Sequence, residues 1–291
     1  MEIKIGKKKI SKNSPTYFIA DIAANHDGSL ARAKKLIRLC AKAGANAAKF
    51  QHFKAETIVL DQGFKKIGKI DHQSMWKKSV FEVYKKASIN PLWTKELVKE
   101  CKKFNIDFLT APYDLNYVDQ LDKFLPAYKI GSGDITWKEI IRKIAKKRKP
   151  VILASGASTL KETINAAKLI LKYNKKLVLM QCNTNYTNNK NNLNYINLLA
   201  LNQFSKIMGK NIILGLSDHT EGHTTVLGSI ALGARVIEKH FTDDNNRNGP
   251  DHKFSMNPTT WKQMIQSSRD LEKSLGNGMK KLEFNEKKSV I

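Results

Sequence analysis

Two histidines stand where short apolar runs end: His219 in Gly215-Leu216-Ser217-Asp218-His219-Thr220 and His240 in Glu238-Lys239-His240-Phe241-Thr242-Asp243. Imidazoles on neighbouring strand ends can share one divalent metal, leaving coordination positions open for water and a substrate. Asp21, Lys49, Gln51, Lys129 and Ser155 end earlier runs in the same way. Lys49 and Gln51 share a strand face by their spacing of two. A lysine in a core is costly unless paired, and two lysines aimed at one mouth repel each other unless an anion lies between them. A bound phosphate or carboxylate would resolve that conflict. Ser132, Gly133, Ser155 and Gly156 add small or side-chain-free positions where backbone N–H groups can approach phosphate oxygens. Asp21 sits on the inward period of its strand and could hold a water or a sugar hydroxyl, although Asp21 and Asn25 could equally satisfy backbone groups of the turn that follows. Among the other histidines, His26 falls in the first loop and His223 at the start of a helix, while His52 and His72 read as surface residues.

For these scattered residues to meet, the chain must return the same end of every strand to one place. Its repeating unit is an apolar or β-branched run followed by a helical pattern. Strand runs are expected at Tyr17–Ile22, Ala47–Gln51, Asp107–Ala111, Ala127–Gly131, Val151–Ser155, Leu177–Cys182, Ile212–Ser217 and Val236–Phe241. A first helix starts near Ser29 and stops at Gly44. Further helical patterns cover Trp93–Phe104, Asn116–Phe124, Trp137–Ala145, Leu160–Tyr173, Tyr195–Met208, Thr224–Leu232 and Thr260–Leu275. Strands separated by helices pair in parallel, and eight of them suggest a closed α/β architecture, the TIM (β/α)8 barrel, whose strand ends converge on one mouth. An open doubly wound sheet would show a Gly-rich phosphate turn after its first strand, and none is present. Glu2–Ile5 and Lys9–Ile10 could form an N-terminal β-hairpin that plugs the barrel's bottom.

The composition suits that architecture. A chain of 291 residues with 41% hydrophobic content can bury one large core. No apolar run approaches the roughly 20 residues that span a bilayer, and no apolar segment of the signal-peptide kind follows the lysine-rich start. A cytoplasmic protein with no membrane partner is expected. Cys40, Cys101 and Cys182 lack CxxC spacing and read as reduced thiols. The net charge of +25 raises nucleic acid as a partner, through clusters such as Lys7 to Lys9 and Lys146 to Lys149. Yet only seven of the 51 basic residues are arginine, the preferred reader of bases and phosphates, and no aromatic residues interleave with the lysines. These runs read as solvated surface whose field could draw anionic substrates, with no nucleic-acid partner expected.

The motifs together resemble the N-acetylneuraminate (sialic acid) synthase family, bacterial enzymes that join phosphoenolpyruvate to an N-acylated amino sugar. They run from Phe18-Ile19-Ala20-Asp21 and Asn25-His26-Asp27-Gly28, through Ala47-Ala48-Lys49-Phe50-Gln51 and Tyr128-Lys129-Ile130-Gly131-Ser132-Gly133-Asp134, to the two histidine motifs and Gly249-Pro250-Asp251. The resemblance implies that His219 and His240 bind a divalent metal, Mn or Mg. Lys49, Lys129, Ser132, Ser155 and Ser217 would hold phosphoenolpyruvate, with Gln51, Tyr186 and Asp251 toward the sugar. Asn183 and Thr184 fall where the family places a polar contact to the phosphate, in a different local order. A homodimer is implied as well.

The implied chemistry is an aldol-like condensation. C3 of phosphoenolpyruvate attacks the metal-polarised aldehyde of the open-chain sugar, and water adds at C2. Asp21 or Asp134 would deprotonate that water while Lys129 and Lys49 stabilise the departing phosphate, so that a C–O bond breaks. Two departures stand out. Asp21 and Asp134 lie where sialic acid enzymes more usually have glutamate. The chain also ends at Ile291, whereas family members usually continue into a small antifreeze-like domain that lends an arginine to the partner subunit's sugar site. On this reading residues 1–282 form the barrel and 283–291 begin a linker to that domain. A related synthase acting on a phosphorylated aldose would need a second phosphate site, and no second cluster of lysine or arginine at strand ends marks one. From another class, an inactive barrel could bind nucleic acid through its lysines.

Overall fold

The computed structural model describes residues 1–60, 63, 78–187 and 189–290. Eight parallel strands form the wall of a TIM barrel: β3 (Tyr17–Asp21), β4 (Ala47–His52), β5 (Asp107–Pro112), β6 (Tyr128–Ile130), β7 (Val151–Ala154), β8 (Leu177–Cys182), β9 (Ile213–Asp218) and β10 (Val236–His240). Pairing runs β5-β4-β3-β10-β9-β8-β7-β6, so the first strand pairs with the last, and β5 and β6 lie side by side at the seam. All eight expected strand runs are present with ends shifted by a residue or so. His72 lies outside the described residues.

Alternation along each strand sorts the two layers of the core. The outward residues, among them Phe18, Ala48, Leu153, Leu179, Leu216 and Ile237, pack under the surrounding helices. Inward residues near the strand starts, Ile19, Ala47, Leu109, Ala127, Ile152, Val178, Ile213 and Val236, fill the lower barrel together with Ile3, Ile5 and Ile10 of the hairpin. That hairpin, β1 (Glu2–Ile5) and β2 (Lys8–Ser11), closes the bottom as expected. It turns at Gly6, whose φ of +55° and proximity to Asp107 leave no room for a side chain: a Cβ would sit 2.0 Å from the carboxylate.

Local signals fix the helix ends. Thr159 and Glu162 form a capping box at the start of Leu160–Tyr173, and Asn257 caps Pro258–Ser274 with proline in the first turn. Leu30–Lys42 begins at the Ser29 cap and ends before Gly44, at φ +95°. The largest differences from expectation lie in two elements. The pattern over Tyr195–Met208 becomes an α-helix only at Ala200, because Lys190–Tyr195 is a 3-10 helix and Asn197 takes a positive φ of 49°. A helix at Val80–Ala87, capped by Ser79 and Glu82, was not anticipated.

Candidate active site

The mouth of the barrel is built two residues above its apolar layer. On β3, β4, β6 and β10 the inward residue after Ile19, Ala47, Ala127 and Val236 is Asp21, Lys49, Lys129 and Glu238 in turn. All four are buried, at 1%, 2%, 3% and 4% exposure. Lys49 Nζ lies 2.7 Å from Asp21 Oδ2 and 3.7 Å from Glu238 Oε1, and Lys129 Nζ is 2.9 Å from the same Glu238 oxygen. The Ser217 hydroxyl approaches it too, at 3.4 Å. This corrects the argument that the two lysines need a bound anion between them: the chain supplies one in Glu238, which the sequence reading missed. Its signal was a lone carboxylate two residues before His240 on the same face of an apolar strand.

These groups set one another's charge. Burial opposes ionisation of Glu238, but Lys129 and Lys49 outweigh it and hold the carboxyl at about 2. Lys49, although buried, is pushed up by Asp21 and Glu238. Asp21 is raised by burial, with Lys49 acting against that and the ionised Glu238 adding to it. Of the two carboxylates that share Lys49, Asp21 therefore accepts a proton more readily. Asp134, in the 3-10 turn Ser132–Asp134 beyond β6, is raised by burial to about 6 against the pull of Lys129.

His219 and His240 cap this cluster from adjacent strands, their ring centroids 5.4 Å apart. Burial lowers both to about 4, so both imidazoles are neutral near pH 7, the form a metal binds. His219 Nδ1 bonds the Asn183 carbonyl at 2.8 Å. A carbonyl only accepts, so Nδ1 carries the hydrogen and Nε2 keeps its lone pair. Among the described residues His240 Nδ1 is buried without a hydrogen-bond partner, 3.9 Å from Asp251 Oδ2. Asp21 Oδ2 lies 3.6 Å from His240 Nε2. No group of three or more His, Cys, Asp or Glu side chains arranged for a metal occurs among the described residues, so these two histidines would leave most positions to water and substrate.

Aromatic rings wall one side. Tyr186 lies 4.4 Å from the His219 ring, and Phe254, which the sequence reading did not single out, lies 4.8 Å from His240 and 5.4 Å from Tyr186. Asp251 accepts from the Ala24 N–H at 3.1 Å, which ties the last loop to the first. The Asp27 carboxylate reinforces that tie through His252 at 2.9 Å and Arg247 at 2.8 Å. Gln51 is half-buried one pleat above Lys49.

On the far side, Ser155 bonds Gln181 at 3.3 Å, and the Gly156 N–H, expected to be open to a phosphate, donates to Ser132 Oγ at 3.0 Å. Asn183 spends its side chain on the Tyr195 carbonyl and the Asn185 N–H. Ser155, Asn183, Thr184 and Tyr186 open into a cavity of about 490 Å³ between the helices Leu160–Tyr173 and Ala200–Met208, with Asn197 and Gln203 on its far wall. Among the described residues, none that lines it is charged.

The remaining histidines separate cleanly. His223 is the cap residue of Thr224–Ala231, as expected. His52, expected on the surface, is fully buried instead. Its ring bonds Thr110 at 2.8 Å and Thr94 at 3.0 Å, because its place on β4 points it under the helix layer rather than into the mouth. Among the described residues, no helix is long and apolar enough to cross a membrane.

A parallel barrel whose strand ends gather lysines, carboxylates and two neutral imidazoles is an enzyme of the TIM-barrel class, with its chemistry at the C-terminal face. The sequence model described as the NeuB family matches residues 36–280, and the chain belongs to that family. It is 37% identical over 279 residues to the N,N'-diacetyllegionaminic acid synthase of Campylobacter jejuni, covering 94% of this chain and 82% of that one. It is 32% identical over 274 residues to a pseudaminic acid synthase of the same species, covering 93% and 77%. The crystal structure of an N-acetylneuraminic acid (sialic acid) synthetase from Leptospira borgpetersenii superposes with a TM-score of 0.85 at 27% identity, covering 100% of this chain and 95% of that one. The chain is thus a synthase of the sialic-acid-type nonulosonate group.

Proposed function

We propose that the enzyme condenses phosphoenolpyruvate with an N-acylated amino sugar, N-acetylmannosamine or a relative, to give a nonulosonate and inorganic phosphate. The observation that carries this reading is the buried Lys49–Glu238–Lys129 cluster directly beneath two neutral imidazoles. Phosphoenolpyruvate brings a phosphate and a carboxylate, and binding both takes more than one fixed cation. Lys49 and Lys129 offer those cations, and Ser132, Ser155, Ser217, Asn183 and Thr184 are assigned to the same substrate as neutral polar contacts. A divalent metal, Mn or Mg, fits the lone pair left on His219 and the His240 ring, whose Nδ1 makes no hydrogen bond among the described residues, and when bound it would polarise the sugar aldehyde. Asp21, whose proton affinity is raised, lies beside Lys49 and would take a proton from the water that adds at C2. Asp134 is a second carboxylate able to exchange a proton near neutral pH. Lys129, paired with Glu238 at 2.9 Å, would stabilise the phosphate as it leaves.

The sugar side belongs to Gln51, Tyr186 and Asp251. The uncharged lining of the adjoining cavity favours a neutral, hydrogen-bonding substrate over a phosphorylated aldose, for which a second cationic site would be needed. Release of inorganic phosphate from phosphoenolpyruvate is the test, measured with N-acetylmannosamine, with a 2,4-diacetamido sugar and with a phosphorylated aldose, each with and without Mn2+. Metal-dependent release with an acylamino sugar is expected. Release with the phosphorylated aldose alone would replace this reading by the related synthase, and salt-sensitive DNA binding without any release would point to the non-enzymatic one.

A further inference from the structure

Behind the two histidines, on the outer side of the barrel wall, Asp218 and Lys239 form an ion pair. They are directly opposite each other in the β9–β10 register, each one residue away from a histidine. Exposure is 2% for Asp218 and 1% for Lys239. Neither faces the mouth, because Ser217, His219, Glu238 and His240 occupy the inward positions of the same strands.

The bonds around the pair converge on the segment that carries His219. Lys239 Nζ donates to the Thr220 carbonyl at 2.7 Å. Asp218 accepts from the Thr220 N–H at 3.2 Å, the Thr220 hydroxyl at 3.0 Å and the Thr225 hydroxyl at 2.7 Å. The β9–β10 backbone pairing ends at Asp218 and Lys239, so beyond that point side chains take over what the strand ladder did below. His219 lies in the first residue past the ladder, where backbone pairing no longer fixes it.

A buried ion pair is a poor source of stability, since withdrawing two charges from water offsets most of their attraction, and an apolar pair of similar volume often does as well. Its usefulness lies in fixing a geometry. We propose that Asp218 and Lys239 are positioning residues for the two-histidine metal site: they set the place of His219 relative to the ladder-held His240 from behind while touching neither metal nor substrate. The proposal rests on the metal-binding reading above. Ligand distances are held to about 0.2 Å in working metal sites, and loss of outer partners typically lowers metal affinity about 10- to 100-fold.

The test is Mn2+ binding to the full chain, followed by the electron paramagnetic resonance signal of free Mn2+ rather than by turnover. Because a single change would strand a buried charge, the key variant is the double substitution Asp218→Leu with Lys239→Met, compared with the conservative Lys239→Arg. The double variant should remain folded by circular dichroism and bind phosphoenolpyruvate in metal-free buffer within about twofold of the parent. Its Kd for Mn2+ should rise about 10- to 100-fold, with a smaller rise for Lys239→Arg. A folded double variant with an unchanged Mn2+ Kd would overturn the proposal. So would a double variant that cannot fold, since the pair would then hold the barrel rather than the metal. If the parent itself binds no Mn2+ and no Mg2+, the metal reading falls and this inference falls with it.

Discussion

The lower and upper halves of the barrel interior are made by the same strands and differ by one pleat. Ile19, Ala47, Ala127 and Val236 pack against the hairpin's isoleucines, and Asp21, Lys49, Lys129 and Glu238 follow them two residues later. The lower layer stabilises by removing apolar surface from water, roughly 25 cal/mol per Å². The upper layer works against stability, because each buried charge gives up its hydration and is tolerated only through its partners. Chemistry and folding are therefore separated by about 7 Å of strand, the advance of two residues.

The largest effects should come from breaking the upper layer. Replacing His240 with Ala should remove metal-dependent phosphate release almost entirely while circular dichroism stays unchanged. Full phosphate release by this variant after complete chelation would remove the histidine pair from the mechanism. Next, Glu238→Ala should cost about 3–5 kcal/mol in urea denaturation, since it leaves Lys49 and Lys129 to share Asp21 alone. Lys129→Met should weaken phosphoenolpyruvate binding by about 2–5 kcal/mol, read by calorimetry. If Lys129→Met instead spared phosphoenolpyruvate and weakened only the sugar, the two substrate sides would have to be exchanged.

The lower layer should respond in the opposite sense. Ile5→Ala, in the plug, is expected to cost about 2–4 kcal/mol of stability with KM for both substrates unchanged. A large rise in either KM would show that the two layers are coupled and break the comparison.

The smallest effect concerns pH. Asp134 is raised from 3.8 to about 6 in the folded chain. Within that window the folded chain keeps a proton that the unfolded chain has lost, so the Asp134 contribution to stability falls as pH rises toward 6. Activity should move the other way, rising through pH 6 as the carboxylate forms. Asp134→Asn should flatten both trends, and a rising limb that survives in that variant would assign it to another group.

Much of this was legible in the chain because strand alternation and helical spacing are local patterns of period 2 and 3.6. The eight strands, the hairpin plug and the meeting of His219 with His240 follow from counting elements around a closed wall, and the capped helix Leu160–Tyr173 could be placed to the residue. The fate of individual side chains could not be read that way. Glu238 settles between Lys49 and Lys129, which lie 80 positions apart in the chain, and the Asn183 carbonyl, not its amide, orients His219. His52 looked solvent-facing only because its partners Thr94 and Thr110 are brought beside it by a helix and a strand that return from more than forty residues away. Sequence periodicity determines which way a side chain points. Only closure of the barrel decides what it meets there, because electrostatic and hydrogen-bond partners act over a few ångströms of space regardless of their separation along the chain.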